Sequence, residues 1–279
     1  MAVDAKSAIK KGVKRAAMLA GPVFKRTGSR ILTYHSVGER DHEMNVAPAD
    51  FRRQMEWLAN NCRVISFERA AAGADGVAVT FDDGYADNLL NAAPVLREFG
   101  IPATFFVVAG RAGGMLDHDT DKATASLMTW DGVRELHAQG FEIGCHTLSH
   151  PRLAQISPEQ QREEIKGAKD VIEQQLGCEI VSFAYPFGSR SDYDAASVAL
   201  VKEAGFCRAA SNRYGVNAHG SDMYNLRRIW IDRTDSLETF QAKVDGRLDA
   251  LAALDSRAGL AARRLLNRLA ERTQRTKRT

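Results

Sequence analysis

The sequence predicts an α/β fold built from parallel βαβ units. Apolar runs of about five residues, such as 77–81 and 103–108, alternate with helical patterns of about ten to fifteen residues. Two polar motifs, at 80–84 and 146–150, adjoin the ends of apolar runs. They are therefore expected at the carboxyl ends of strands, where barrel enzymes carry their chemistry. These observations alone leave a barrel and a doubly wound sheet both open.

In the first half of the chain, Asp50 is predicted to cap a helix that contains Trp57. A second helix over 88–99 should end at Gly100 and Pro102, because proline cannot continue it. The predicted strands of this half are 31–35, 63–66, 77–81 and 103–108.

In the second half, the polar segment 109–127 is predicted to be a loop that borders a substrate groove. Thr129 should cap a helix that runs to Gly140. Ser157 and Pro158 open another helix, which Gly177 ends. A further helix spans 194–204, and the predicted strands are 141–145, 180–185, 206–210 and 226–231.

The composition is that of one large domain with a sizeable core, since 44% of the 279 residues are hydrophobic. The net charge of +3 hides an asymmetry. Residues 1–30 and 256–279 each carry eight Lys or Arg against one acid, whereas the body between them is acidic. An arginine-rich tail without interleaved aromatic residues does not indicate nucleic-acid binding.

The four cysteines have no paired spacing, which argues against a zinc knuckle or a redox pair. Free cysteines favour a reducing compartment. The N-terminal segment lacks a convincing secretion signal, and no apolar run approaches the length of a membrane span. We therefore expect a cytoplasmic protein, with a weak, uncleaved export signal as the alternative.

The two polar motifs have the composition of a metallohydrolase site. Asp82 and Asp83 end the run 77–81, and His146 and His150 follow the run 141–145 at a spacing that would place both imidazoles on one face of a helical turn. Two imidazoles and one carboxylate suit zinc or another first-row divalent ion with a position open for water. The second carboxylate can then act as a base. The alternative is an ordinary Asp-Asp-Gly turn and two exposed histidines.

Thr-Phe-Asp-Asp-Gly at 80–84 and His-Thr-Leu-Ser-His at 146–150 resemble motifs of the polysaccharide deacetylases with a NodB-homology domain, carbohydrate esterase family four. The resemblance covers roughly residues 30–235. It implies a distorted, incomplete (β/α) barrel in a single domain. It also implies that Asp82 is the catalytic base, and that one divalent ion, Zn²⁺ with Co²⁺ or another first-row ion as alternatives, is held by Asp83, His146 and His150.

The chain departs from the family pattern at the third motif. Ala184 stands where the family has an arginine that orients the base, and Arg228 is a candidate replacement. The following Pro-Phe-Gly matches, and the resemblance makes the Phe187 backbone N–H an oxyanion donor. Leu-Thr-Tyr-His at 32–35 resembles a segment found in the biofilm poly-N-acetylglucosamine deacetylase branch, in which the order of the motifs along the chain is circularly permuted. His35 is therefore the candidate general acid, with a structural hydrogen-bonding role as the alternative.

These assignments predict hydrolysis of the N-acetyl group of an amino sugar in a glycan. One alternative is removal of a formyl or other acyl group from a lipid-linked amino sugar. A carbohydrate-binding protein that has lost catalysis is another, since the family arginine is missing. Tyr34, Tyr185 and Trp130 are candidates for stacking on a sugar or, more commonly, for packing. The sequence does not predict an oligomeric state.

The basic ends are predicted to be helical and to lie outside the catalytic domain. The expected division is 1–29, 30–235 and 236–279, with apolar positions at helical spacing in 5–20 and after Leu237. Basic amphipathic helices bind anionic membrane surfaces. We therefore expect peripheral contact with the inner face of a membrane. The alternative is that these ends cover the sides of the barrel and expose their charges to water.

Overall fold

Seven parallel strands close into a barrel in this computed structural model, which describes Gly12 and residues 27–40, 42–116 and 126–255. Neighbours in the ring follow chain order, and the ring closes where Leu32 pairs with Ile229 and Thr33 with Trp230. The predicted (β/α) barrel is confirmed, with one strand fewer than the common eight. The strands are β1 (Arg30–Tyr34), β2 (Ser36–Val37), β3 (Asn45–Val46), β4 (Val77–Phe81), β5 (Ala103–Val107), β6 (Glu142–Cys145), β7 (Ser182–Ala184), β8 (Arg208–Tyr214) and β9 (Leu226–Trp230). Strands β2 and β3 form a separate parallel pair.

The helices connect the strands as the alternating pattern predicts. The described α-helices are α1 (Pro48–Asn61), α2 (Phe67–Ala71), α3 (Ala93–Glu98), α4 (Trp130–Ala138), α5 (Pro158–Arg162), α6 (Ala168–Leu176), α7 (Ala195–Glu203) and α8 (Leu237–Val244). Two π-helical segments, Asn88–Ala92 and Glu163–Gly167, lead into α3 and α6. Three 3₁₀ segments occupy Ala109–Arg111, Leu153–Gln155 and Asp249–Asp255.

Because successive side chains of a strand point to opposite faces, the core consists of two main apolar clusters. Val77, Val79 and Phe81 of β4 belong to the larger apolar cluster, which includes helix residues. Ala78 belongs to a second cluster, to which six barrel strands each contribute one residue: Ile31, Ala78, Phe106, Ala184, Ala210 and Leu226. Residues from six strands meet only inside the barrel, so this cluster fills its interior. At the edge of that interior, the Phe67 ring of α2 packs against the Phe106 ring.

The predicted helix boundaries are confirmed where they rest on capping chemistry. Ser157 and Gln160 form a reciprocal capping box at the start of α5. Gly177 ends α6 in the left-handed conformation, with φ 68°. Thr129 caps α4, as its side chain accepts a hydrogen bond from Gly132 N–H.

Three predicted elements differ from the structure. Asp50 is not the cap of α1: the helix begins at Pro48, and Asp50 lies in its first turn, where a carboxylate complements the helix dipole. The segment 63–66 forms only an isolated bridge, Val64 with Val77. The strand predicted at 206–210 is shifted to Arg208–Tyr214, because β8 pairs with β9 on one side and β7 on the other.

The chain after the barrel packs against it as far as residue 255. The Phe240 ring of α8 lies 6.0 Å from the Trp57 ring of α1, and Arg30 of β1 forms a bidentate pair with Asp249 at 2.7 and 2.9 Å. The helices predicted at 5–20 and 260–269 lie outside the described residues. Within the described part of the chain, no helix combines the length and apolarity that a membrane crossing requires.

Candidate active site

Strained backbone marks the carboxyl end of the barrel. Among the described residues, the non-glycine residues with positive φ are Asp83, Thr147, His150 and Phe187. They follow β4, β6 and β7. In the ring, β6 and β7 are neighbours, and β5 lies between β4 and β6. Left-handed conformations are costly for residues with a Cβ and persist where the surroundings over-determine them, most often at functional sites. Local conformation therefore points to the same edge of the barrel as the sequence motifs.

Three predicted metal ligands meet at this edge. Asp83 Oδ1 lies 3.4 Å from His146 Nε2 and 3.3 Å from His150 Nε2. The candidate ligand atoms of all three residues lie within 4.8 Å of one another. Burial opposes the charge of Asp83, but the two imidazoles outweigh it and hold the pKa of that carboxyl well below its usual range. Asp83 Oδ1 is buried and makes no hydrogen bond of normal geometry with any residue that the structure describes, so a divalent cation would fit this donor set.

The two histidines are held by a loop, not by the helical turn predicted from their spacing. Thr147 and His150 adopt positive φ, which a helix does not allow. The Glu164 carboxylate organises the loop: it accepts from Leu148 N–H at 3.0 Å, from Ser149 N–H at 2.9 Å and from the Ser149 hydroxyl at 2.5 Å. A carboxylate from a distant helical segment thus replaces the hydrogen bonds that a helix would supply.

The His146 imidazole is oriented from within the barrel. His146 Nδ1 lies 2.7 Å from the Ala184 carbonyl oxygen, which can only accept a hydrogen bond. Nδ1 therefore carries a proton, and Nε2 is the ring nitrogen that faces Asp83. A histidine that donates through its second nitrogen in this way is typical of metal ligands.

Asp82 lies close to the predicted ligand His146 and forms a buried bidentate pair with Arg228. Arg228 Nη1 donates to Asp82 Oδ1 at 2.7 Å, and Nη2 donates to Oδ2 at 2.6 Å. Both side chains are fully buried. Burial alone would raise the pKa of Asp82, but Arg228 and His146 offset it and lower the pKa below its ordinary value. Asp82 is thus kept ionised, as a base must be before it accepts a proton.

Arg228 is the arginine that binds Asp82 in this chain, which has Ala184 in place of the family arginine. All five of its N–H donors are used: Nε donates to the Ser211 carbonyl at 3.0 Å, and the Nη groups also reach Thr80 Oγ1 and Asn212 Oδ1. Its guanidinium carbon lies 5.7 Å from the Phe106 ring, which shares the interior cluster with Ala184. Ala184 has a small side chain, and Arg228 extends from β9 into the same barrel interior.

His35 follows β1 and faces Asp82. His35 Nε2 lies 3.9 Å from Asp82 Oδ2, and its buried Nδ1 has no hydrogen-bond partner among the described residues. Burial lowers the pKa of His35, an effect that the Asp83 and Asp82 carboxylates partly oppose. The Trp230 ring, partly exposed, lies 6.2 Å from the imidazole. The structure therefore places His35 beside the predicted base, and the described part of the chain supplies no hydrogen bond to its Nδ1.

Phe187 follows β7 and contacts the histidine loop. Its ring centroid lies 4.7 Å from that of His150. Asn212 links its turn to the arginine: Asn212 Nδ2 donates to the Phe187 carbonyl at 3.2 Å, while Asn212 Oδ1 accepts from Arg228 Nη2 at 2.7 Å. The turn that carries the predicted oxyanion donor is thereby connected to the group that orients the predicted base.

Two aromatic candidates for sugar stacking are core residues instead. Tyr34 is fully buried, and its hydroxyl donates to Gln54 at 2.8 Å. Tyr185 is also buried and stacks on Tyr193 with ring centroids 3.9 Å apart. Both belong to the cluster outside the barrel, because strand alternation turns them away from the site. Trp130 remains partly exposed at the start of α4. Cys145 of β6 is likewise turned into the outer core.

The residues that sequence reasoning missed are those that support the site: Glu164, Asn212 and Trp230. Glu164 lies in a predicted helix that contains several other charged residues. Its sequence context does not distinguish it from acids that are simply exposed to water. Asn212 follows the predicted end of its strand, so its position inside the barrel depended on the true extent of β8.

Comparison with known proteins agrees with this geometry. The family model for polysaccharide deacetylases matches residues 69–209, about half of the chain. The YxkH protein of Bacillus subtilis (strain 168) is 25% identical over 224 residues, which cover 77% of this chain and 75% of that protein. A poly-β-1,6-N-acetyl-D-glucosamine N-deacetylase of Staphylococcus epidermidis is 21% identical over 252 residues, or 80% of this chain and 85% of that protein. The Streptococcus pyogenes deacetylase PplD, solved with acetate, shares the fold with a TM-score of 0.67 at 24% identity, covering 78% of this chain and 98% of that one. The chain belongs to the polysaccharide deacetylase family and is a hydrolase.

Proposed function

We propose that this protein hydrolyses the N-acetyl group of an amino sugar in a polysaccharide and releases acetate. One observation carries the proposal: an ionised carboxylate, Asp82, lies beside a buried cluster of Asp83, His146 and His150 suited to one divalent cation. Zn²⁺ is the preferred ion, with Co²⁺ or another first-row ion as alternatives, because two imidazoles and one carboxylate suit these metals. A cation held there would polarise the amide carbonyl and lower the pKa of water.

The chain's own groups divide the proton transfers. Asp82 accepts the proton of the attacking water, and its pairing with Arg228 keeps it ionised and aimed into the site. The Phe187 backbone N–H donates to the developing oxyanion. These roles are supported by the position of both groups at the carboxyl end of the barrel, on either side of the two histidines.

We propose that His35 donates the proton that the leaving amine requires. Burial lowers the pKa of His35, so the imidazole favours its neutral form at rest. The proton collected by Asp82 lies 3.9 Å from His35 Nε2, within reach after a small movement or through one water. The base and the acid would thus work in sequence on one proton.

The chemistry of the site and the named activity of the Staphylococcus epidermidis relative both support the proposed substrate class. The test is release of acetate from N-acetylglucosamine oligomers by protein loaded with Zn²⁺ or Co²⁺. Formate release from an N-formyl amino sugar on a lipid carrier, without acetate release, would favour the lipid-linked alternative. Binding of oligomers without any turnover would instead favour a carbohydrate-binding protein. Anomalous scattering from crystals soaked with a short oligomer would identify the ion, its ligands and the position of the amide.

We also propose a cytoplasmic protein attached peripherally to an anionic membrane surface. The basis is the charge of segments 1–30 and 256–279, each with eight basic residues against one acid. In a co-sedimentation assay, the protein should bind anionic but not neutral vesicles, and salt or removal of both ends should abolish binding. Equal recovery in the supernatant with both vesicle types at low salt would contradict this.

A further inference from the structure

The Phe187 ring contacts two side chains of the histidine loop. One is the His150 imidazole, with ring centroids 4.7 Å apart. The other is Arg152, whose guanidinium carbon lies 3.8 Å from the centroid of the Phe187 ring. This separation is that of a stacked guanidinium and aromatic ring. An arginine two residues beyond a proposed metal ligand therefore rests on the residue that supplies the proposed oxyanion donor.

Arg152 is anchored by a buried acid. Arg152 Nη1 pairs with Asp192 Oδ1, and the Asp192 side chain is only 3% exposed, whereas that of Arg152 is 41% exposed. Asp192 Oδ2 accepts from Ser189 N–H at 2.8 Å, and the Asp192 carbonyl accepts from Ala154 N–H at 3.0 Å. Asp192 thus closes the turn that begins at Phe187 and joins it to the histidine loop. A flexible arginine gains one defined position from this anchor.

The position of this turn matters because its backbone is strained. Phe187 has φ 58°, a conformation that a residue with a Cβ keeps only when its surroundings impose it. The direction of its N–H follows from that backbone conformation. An oxyanion donor works at about 3 Å from the developing charge, and a displacement of about 1 Å can cost about 10²-fold in rate.

We propose that Arg152, anchored by Asp192, is a positioning residue that holds the Phe187 N–H in its proposed place beside His150. The inference rests on the proposed function, in which that N–H stabilises the oxyanion. Arg152 acts through the Phe187 ring and does not touch the reacting atoms. Because the oxyanion develops only as the reaction proceeds, the effect belongs to the rate of turnover and not to substrate binding.

The first test is Arg152→Gln in the metal-loaded protein. We expect kcat to fall about tenfold, with KM changed less than about twofold and metal content unchanged. Arg152→Lys keeps the ion pair but loses the planar group over the ring, so it should recover only part of the rate. The matched control is Arg162→Gln, an exposed arginine paired with Glu203 on the surface, which should leave kcat unchanged. An increase in KM at constant kcat would overturn the proposal, since Arg152 would then bind substrate directly.

A double-mutant cycle tests whether Arg152 acts through the ring. In a Phe187→Ala background, which keeps the backbone N–H but removes the ring, Arg152→Gln should cause little further loss. The same tenfold loss in both backgrounds would overturn the proposal, because Arg152 would then act by another route.

The outcome can be separated from the proposed function. If the unmodified protein releases no acetate, the proposed function fails, and the backbone amide resonance of Phe187 in ¹⁵N-phenylalanine-labelled protein, assigned with Phe187→Leu, decides the inference. Arg152→Gln should shift this resonance, while Arg162→Gln should not. An unshifted resonance in Arg152→Gln would overturn the positioning role whatever the activity.

Discussion

Two arginine–carboxylate pairs lie inside the same barrel, one near each end. At the carboxyl end, Arg228 binds both oxygens of Asp82 at 2.7 and 2.6 Å. At the amino end, Arg208 Nη2 binds Glu142 Oε1 at 3.1 Å. Asp82 is fully buried, whereas 27% of the Glu142 side chain is exposed.

The two carboxylates differ in what else surrounds them. Glu142 also accepts from the Thr104 hydroxyl at 2.7 Å and from the Ser182 hydroxyl, so it ties β5, β7 and β8 to β6. Asp82 is paired with Arg228, and His35 Nε2 lies 3.9 Å from its Oδ2. Hydrogen bonds from neighbouring strands make a structural tie. A carboxylate aligned by a single arginine beside a histidine is arranged to exchange a proton. The same ion-pair chemistry therefore serves stability at one end and, as proposed, catalysis at the other.

Removal of a metal ligand should have the largest effect on the catalytic end. Asp83→Asn, His146→Ala and His150→Ala each remove a predicted donor atom, so metal content and turnover should fall together. Metal per chain can be measured by atomic absorption beside acetate release. His137→Ala, which removes an exposed histidine of α4, is the matched control and should retain both. Full metal content in all three ligand variants would exclude this site.

Asp82→Asn should reduce turnover by about 10²- to 10⁴-fold while metal content stays nearly unchanged, because it removes the proposed base and none of the predicted ligands. Circular dichroism should confirm folding, since Arg228 loses its charged partner. Glu142→Gln is the corresponding change at the amino end and should keep turnover within about twofold. If Asp82→Asn lost its metal and Asp83→Asn did not, the roles of the two acids would be reversed.

His35→Ala tests whether the histidine beside Asp82 makes this end catalytic. Turnover should fall by about 10²- to 10⁴-fold, the range for loss of a general acid. Because the proposed mechanism passes the proton from Asp82 to a neutral His35, the loss of turnover should extend across the pH–rate profile and should not be confined to its basic limb. Near-normal rates would assign His35 a structural role.

The two arginines should separate rate from stability. Arg228→Met leaves a fully buried carboxylate unpaired, so we expect a loss of about 3–5 kcal/mol in the free energy of unfolding and about 10²-fold in turnover. Arg208→Met should cost less stability, about 1–3 kcal/mol, since Glu142 is partly solvated and keeps two hydroxyl donors. Its turnover should stay within about twofold.

A reciprocal exchange sharpens the same test. The double variant Ala184→Arg with Arg228→Ala should recover part of the turnover lost in Arg228→Ala, because both positions face one interior cluster. Denaturant unfolding and acetate release measure the two quantities for each variant. Equal losses of turnover in Arg228→Met and Arg208→Met would contradict the distinction between the two ends.

Local sequence was sufficient for much of the architecture and for the inventory of the site. The alternation of apolar runs and helical patterns predicted parallel βαβ units, since each pattern reflects one element's own geometry. Capping residues such as Ser157 and Gly177 marked helix ends correctly because their hydrogen bonds are local. The motifs at 80–84 and 146–150 identified the side chains that meet at the carboxyl end, because the parallel strands before them end at a common edge.

Tertiary structure decided how those side chains are presented. The His146–His150 segment is a strained loop and not a helical turn because Glu164 and the Ala184 carbonyl, distant in sequence, supply its hydrogen bonds. From sequence alone, Arg228 is only a candidate to replace the missing arginine. It reaches Asp82 because β9 closes the ring beside β1. A local sequence pattern predicts the secondary structure that a segment can form by itself. Which donor meets which acceptor across the barrel depends on contacts between residues far apart in sequence, such as Arg228 and Asp82, which are 146 positions apart.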